Sequence, residues 1–294
     1  MEFKLLIDAK VTISETPVWD HRLNRLYWTD FPGGELHSYH PQTGEEQTWS
    51  FGKPLGVAIP CENPEKMFIA LADGLYLLDL ETSETKFICD PDPRPDYMYN
   101  DSRIDAAGRI LTSSVSKIYG SDAYSPDMLG NFYVVDTDGT VTTLVEGVNQ
   151  YNGMVWNKSS TKMYVVDTHN QKLLVFPYDI DRGPTGGCEL ELDLKDLGMP
   201  DGIGIDEEDS IYICHWTGKI SVWDKDLNLT GTIPFPVEFV CCLGFGGDDK
   251  KDLYVATASY NYTEADFKKN PGAGGLFIGR SNIAGRPDNF YKAV

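Results

Sequence analysis

The sequence predicts an all-β fold of six similar units, on three observations. First, a short apolar-aromatic segment recurs six times along the 294 residues. The copies are Leu26-Tyr27-Trp28-Thr29, Met67-Phe68-Ile69-Ala70, Arg109-Ile110-Leu111-Thr112, Met163-Tyr164-Val165-Val166, Ile211-Tyr212-Ile213-Cys214 and Leu253-Tyr254-Val255-Ala256. Their second residues are spaced by 41, 42, 54, 48 and 42 positions. Second, polar turns bracket the copies. Third, helical periodicity is almost absent. Repeats of about 40–50 residues, each with four short strands, are the signature of a propeller. The predicted architecture is a six-bladed β-propeller with four-stranded blades, a single domain over residues 1–294. A β-sandwich does not account for six in-phase copies.

Each strand of the repeat has its own signal. Before the anchor stands an apolar strand ending in a polar turn, as in Pro17-Val18-Trp19 then Asp20-His21, or Ile203-Gly204-Ile205 then Asp206-Glu207. After it comes a strand that often closes on Asp, as in Leu75–Asp79, Phe132–Asp136 and Ile220–Asp224. Thr43-Gly44 and Asp138-Gly139 supply turns toward a fourth strand. Phe3–Ile7 is predicted to complete the last blade, whose own strands end near Leu276-Phe277-Ile278. One helical turn is expected over Thr263–Lys269. The polar stretch 113–130 explains the spacing of 54 and reads as either a specificity loop or a plain surface excursion.

Composition narrows the function classes. With 25 Lys+Arg against 45 Asp+Glu, the net charge is −20. Phosphate backbones need a basic face, so a nucleic-acid partner is not expected; nor is an anionic membrane surface. No apolar run is long enough to span a bilayer, and the first residues read as a strand rather than a secretion signal. The expected location is cytoplasmic, and the six cysteines, with no C-x-x-C pair, read as buried free thiols.

The differences between repeats point to a site. Ten to twelve residues before the anchors stand Glu15, Gly56, Asn100, Asn152, Asp201 and Cys242. In a propeller the first strand of each blade lines the central channel, so Glu15, Asn100, Asn152 and Asp201 are expected to converge there. Two carboxylates and two amides suit a hard divalent cation, which would relieve their repulsion. Caps at strand starts, or sites for ordered water, remain the plainer reading of the same spacing.

The chain resembles the SMP-30/gluconolactonase/luciferin-regenerating-enzyme family of six-bladed propellers. Ser14-Glu15-Thr16-Pro17-Val18-Trp19 resembles its G-E-G-P-x-W motif. The segment Tyr99-Asn100-Asp101 through Gly108-Arg109 resembles N-D-x-x-x-D-x-x-G-R. Asn152-Gly153-Met154-Val155-Trp156 resembles N-G-L-x-W, and Pro200-Asp201-Gly202 resembles P-D-G. Phe245-Gly246-Gly247 and Ala273–Phe277 resemble the last-blade F-G-G and A-G-G-[LV]-F. The resemblance implies one divalent metal (Ca2+, Zn2+, Mn2+, Mg2+ or Fe2+) held by Glu15, Asn152 and Asp201. It implies hydrolysis of a lactone, mostly a sugar lactone, to the hydroxy acid. Asn100 matches a residue that contacts substrate or metal-bound water. Met98 stands where the family often has an Arg that grips sugar hydroxyls, and Met offers no donor. Ser14 and Thr16 replace two glycines.

The expected chemistry is water attack on a lactone carbonyl polarised by the metal, with Asp201 as general base. Asn100 and Asp101, beside Met98, are the expected substrate-binding residues. Two alternatives stand: a calcium-binding regulatory propeller without turnover, and a lactonase or esterase acting on a non-sugar lactone. Trp216 and His169 are candidates for the pocket mouth. No G-x-S-x-G accompanies the serines, and Asp179-Ile180-Asp181 lacks the twelfth-position Glu of a calcium loop.

Overall fold

The computed structural model describes residues 1–117 and 128–292. The chain opens with β1 (Phe3–Ile7). Blade 1 holds β2 (Ser14–Asp20), β3 (Arg25–Asp30), β4 (Glu35–His40) and β5 (Glu45–Ser50). Blade 2 holds β6 (Leu55–Pro60), β7 (Lys66–Leu71), β8 (Gly74–Asp79) and β9 (Thr85–Cys89). Blade 3 holds β10 (Tyr97–Ile104), β11 (Ile110–Ser116), β12 (Gly130–Val135) and β13 (Val141–Val148). Blade 4 holds β14 (Tyr151–Trp156), β15 (Lys162–Asp167) and β16 (Lys172–Asp179), with β17 (Gly183–Pro184) and β18 (Leu190–Asp193) both pairing with β16. Blade 5 holds β19 (Pro200–Ile205), β20 (Ile211–His215), β21 (Lys219–Trp223) and β22 (Leu229–Pro234). Blade 6 joins β23 (Val240–Gly246), β24 (Asp252–Thr257) and β25 (Leu276–Arg280) to β1. These sheets are the blades of a six-bladed β-propeller.

The N-terminal strand closes blade 6 as the sequence predicts, with Phe3 opposite Gly279 and Leu5 opposite Phe277. The expected helical turn is α1 (Glu264–Lys269), opened by a reciprocal cap between Thr263 and Asp266. Of the 113–130 stretch, Ser113–Ser116 end β11 and Gly130 begins β12, while 118–127 lie outside the described residues. No helix among the described residues is long and apolar enough to cross a membrane.

Burial falls from the first strand of a blade to its last. Strands β6, β19 and β23 are buried throughout, whereas five of the six residues of β5 and of β22 are exposed. The Asp that closes many strands has a local task. Asp79 accepts the backbone N–H groups of Glu81 and Thr82, Asp206 those of Glu208 and Ser210, and Asp224 those of Asp226 and Asn228. Short carboxylates stabilise such turns by substituting for a backbone acceptor. Part of the acidic excess is therefore turn chemistry.

The chain folds as two compact units. Met1–Pro54 with Leu194–Asp288 carries blades 1, 5 and 6; Leu55–Asp193 with Asn289–Val294 carries blades 2, 3 and 4. Within the first, first strands approach backbone to backbone. A Cβ on Gly244 of β23 would lie 2.0 Å from the Pro17 carbonyl oxygen of β2. One on Gly202 of β19 would lie 2.7 Å from Cys242 Cα of β23. Only glycine permits that approach.

Candidate functional site

Every blade's first strand carries an irregularity at the same place. The pairing register shifts between Glu15 and Val18, Leu55 and Val57, Tyr99 and Ser102, Tyr151 and Met154, Pro200 and Ile203, and Val240 and Cys242. Such bulges bend a strand and re-aim the side chains at the bend. Gly56, Asn100, Asn152, Asp201 and Cys241 fall within these intervals, and Glu15 opens the first. Counting back from the anchors named Cys242 for blade 6. The structure corrects this to Cys241: Tyr254 pairs with Gly244, ten residues back, whereas the anchors of blades 1, 2 and 4 pair nine residues back, so the longer β23–β24 turn displaces the count by one.

In the unit of blades 1, 5 and 6, ligand atoms of Glu15, Asp201 and Cys241 all lie within 4.8 Å of one another. Asp201 and Cys241 are buried and Glu15 is half-buried. Two unit charges at that distance repel by roughly 3.5 kcal/mol at an effective dielectric of about 20. A cation relieves that cost, so the donor set fits a divalent ion. Trp216 holds one carboxylate in place, its Nε1–H donating to Asp201 Oδ2 at 2.6 Å. The indole stacks on Phe239 at 4.9 Å, and Phe239 meets Tyr262 at 5.4 Å, making an aromatic wall. Burial, followed by the Glu15 and Asp201 charges, pushes the Cys241 thiol well above its ordinary range. Beside Glu15, Thr16 adopts φ 47°, a left-handed conformation that suits glycine and strains a β-branched residue.

In the unit of blades 2, 3 and 4, two amides form a chain. Asn100 Nδ2 donates to Asn152 Oδ1 at 3.0 Å, and Asn152 Nδ2 donates to Thr168 Oγ1 at 3.0 Å. Asp101 is buried and accepts Arg103 at 2.6 Å, so this carboxylate has a cation within its own strand. Met98 is buried at 2% exposure in β10. Burial lowers the affinity of His169 for a proton. The second half of the Asn100–Arg109 segment is architectural. Asp105 accepts the backbone N–H of Ala107 and Arg109, the Arg109 guanidinium and the Tyr178 hydroxyl, and Arg109 also donates to the Ile180 and Asp181 carbonyls.

One contributor, Cys241, and one contact of Trp216, itself a sequence candidate, are not apparent from sequence. Cys241 is missed by one position because counting back from the anchor assumes equal turns between first and second strands, and the β23–β24 turn is one residue longer than those of blades 1, 2 and 4. The Trp216–Asp201 contact joins the end of β20 to the start of β19, and no local motif marks it.

A family model described as SMP-30/Gluconolactonase/LRE-like region matches residues 13–259. The chain belongs to this family. Among its relatives are the pentonolactonase XacC of Haloferax volcanii, 30% identical over 96% of each chain, and the L-arabinolactonase of Azospirillum brasilense, 25% identical over 96% of this chain and 92% of the relative. A solved structure described as a calcium-binding protein, regucalcin, from Agrobacterium tumefaciens superposes with a TM-score of 0.91 at 25% identity. It covers 99% of this chain and 97% of its own.

Proposed function

We propose that the protein hydrolyses a sugar-derived lactone to its hydroxy acid, using one divalent cation held by Glu15, Asn152 and Asp201. The observation that carries this reading is the Glu15–Asp201 carboxylate pair, set on bulges of two first strands. Membership of the SMP-30/gluconolactonase/LRE-like family supports it, as do relatives named for lactonase activity on pentose-derived lactones. A bound cation supplies Lewis-acid polarisation of the lactone carbonyl and stabilises developing negative charge.

The residues supply the rest. Water adds to the carbonyl carbon, and Asp201 takes its proton on a carboxylate oxygen. Collapse breaks the bond from the acyl carbon to the ring oxygen, and the proton held on Asp201 passes to the departing alkoxide. The product carries one hydroxyl and one carboxylic acid, which ionises to release a proton. Trp216 keeps the Asp201 carboxylate turned for this transfer through the 2.6 Å bond. Asn100, oriented by Asn152 and Thr168, positions water or a substrate hydroxyl. Asp101, paired with Arg103, supports Asn100 from the adjacent position, and Met98 gives that part of the strand an apolar side chain.

The similarity to a protein described as calcium-binding favours a second reading, cation binding without turnover. Proton release from pentonolactones, gluconolactone and non-sugar lactones, with and without chelator, separates the two. Chelator-sensitive hydrolysis lost in Asp201→Ala and Glu15→Ala is expected. Full activity in both variants defeats the assignment, and cation binding without hydrolysis of any lactone favours the second reading.

A further inference from the structure

Blades 1 and 5 offer oxygen at the first-strand bulge, and blade 6 offers sulfur. The bulge of β23 falls at Cys241, between Val240 and Cys242. Its Sγ lies within 4.8 Å of carboxylate oxygens of both Glu15 and Asp201. A metal–sulfur bond of about 2.3 Å and a metal–oxygen bond of about 2.1 Å at a tetrahedral angle set the two ligand atoms roughly 3.6 Å apart. One ion therefore reaches all three atoms once they draw together by about an ångström. The neighbouring thiol is directed elsewhere: Cys242 Sγ packs against the β19 backbone, 2.7 Å from where a Gly202 Cβ would stand.

We propose that Cys241 is a direct protein ligand of the cation held by Glu15 and Asp201, and that its sulfur biases this site toward thiophilic divalent ions such as Zn2+ over Ca2+. The inference rests on the metal site in the lactonase reading and names the class of ion it takes. Hard ions such as Ca2+ take six to eight oxygens, whereas a thiolate with carboxylates in a low-coordinate cage favours zinc-like ions. Ligation uses the thiolate, so the Sγ proton leaves to solvent as the metal–sulfur bond forms.

Purified full-length protein, stripped of metal, is titrated with Cd2+, Zn2+ and Ca2+ separately. Calorimetry gives affinities, and near-ultraviolet absorption reports sulfur-to-cadmium charge transfer. Wild type is expected to show the charge-transfer band, and Cys241→Ser to lose it. The same variant should lose roughly tenfold or more in Zn2+ affinity while Ca2+ affinity stays within about threefold. The five variants Cys61→Ser, Cys89→Ser, Cys188→Ser, Cys214→Ser and Cys242→Ser should each retain the band, which assigns it to Cys241 even if Cys241→Ser does not fold. Cadmium bound without the band, or an unchanged Zn2+/Ca2+ preference in Cys241→Ser, overturns the inference and leaves the carboxylate site standing. If wild type binds none of the three ions, or Glu15→Gln and Asp201→Asn bind them as tightly as wild type, the metal site itself fails and the inference with it.

Discussion

The indole of Trp216 donates its Nε1–H to Asp201 Oδ2 at 2.6 Å, tying the end of β20 to the carboxylate on β19. A hydrogen bond to a charged acceptor is worth about 1.5–3 kcal/mol. If Asp201 is the base, that energy maintains the carboxylate's aim during proton transfer. Trp216→Phe keeps a ring against Phe239 and removes only the donor. Steady-state kinetics should show kcat down by roughly tenfold or more with KM changed less. A kcat within twofold of wild type would mean that Asp201 needs no such orientation.

A second relationship concerns stability. Arg109 and Asp105 are 4% and 1% exposed, and pair at 2.6 Å. Removing one partner of a buried pair leaves an uncompensated charge, costing about 3–5 kcal/mol. Arg109→Met should therefore lower the urea midpoint sharply, whether or not metal is present. A loss below about 1 kcal/mol would show that water or a neighbouring donor takes over the Asp105 carboxylate.

The contrast between these residues shows what sequence can carry. Six anchors at similar spacing made the blades legible, since strand periodicity and turn residues are local properties. The same count reached Glu15, Asn100, Asn152 and Asp201 because those bulges sit at nearly equal distances from their anchors. It passed over Cys241, since the β23–β24 turn carries one residue more than those of blades 1, 2 and 4 and shifts the count by a position. Asp105 and Arg109 sit in one motif with Asn100, yet the structure uses them to join the β10–β11 turn to the end of β16. Spacing does not distinguish a buried brace from a ligand; only the partners do. Thr16 departs from the family's glycine, and its φ of 47° shows that the backbone keeps the glycine conformation regardless.

Gly202 tests how closely the site depends on backbone approach. A Cβ there would meet Cys242 Cα and Sγ at 2.7 Å and the Cys241 carbonyl oxygen at 2.9 Å. Two of these are backbone atoms and cannot step aside alone. Gly202→Ala should destabilise by about 1–3 kcal/mol and weaken cation binding, because β23 moves with Cys241. Gly231→Ala on the outer strand β22 meets nothing within 4 Å and serves as the control. Equal unfolding midpoints for the two variants would contradict the close packing of β19 on β23.

His215 gives the fold a pH dependence of defined sign. The ring has 0% exposure, with Nδ1 3.1 Å from the Gly198 carbonyl oxygen and Nε2 2.8 Å from Ser221 Oγ. Burial pulls it down to about 4 from the usual 6.5, with the Gly198 carbonyl opposing and Lys219 adding to the fall. Between those values the unfolded chain binds a proton that the folded chain refuses. Stability is therefore complete above about pH 6.5 and is lost as pH falls toward 4. A gap of about 2.5 units corresponds to roughly 3 kcal/mol. Burial also lowers His37 and His169, which act in the same direction, so the total slope belongs to several rings. The difference between wild type and His215→Gln isolates one. Urea unfolding in chelator at steps from pH 7 to 4.5 should show a shallower loss in the variant, and parallel curves would show that His215 carries no such linkage. Chelator keeps metal loss out of the comparison, because a cation bound only by the folded chain would add its own pH dependence.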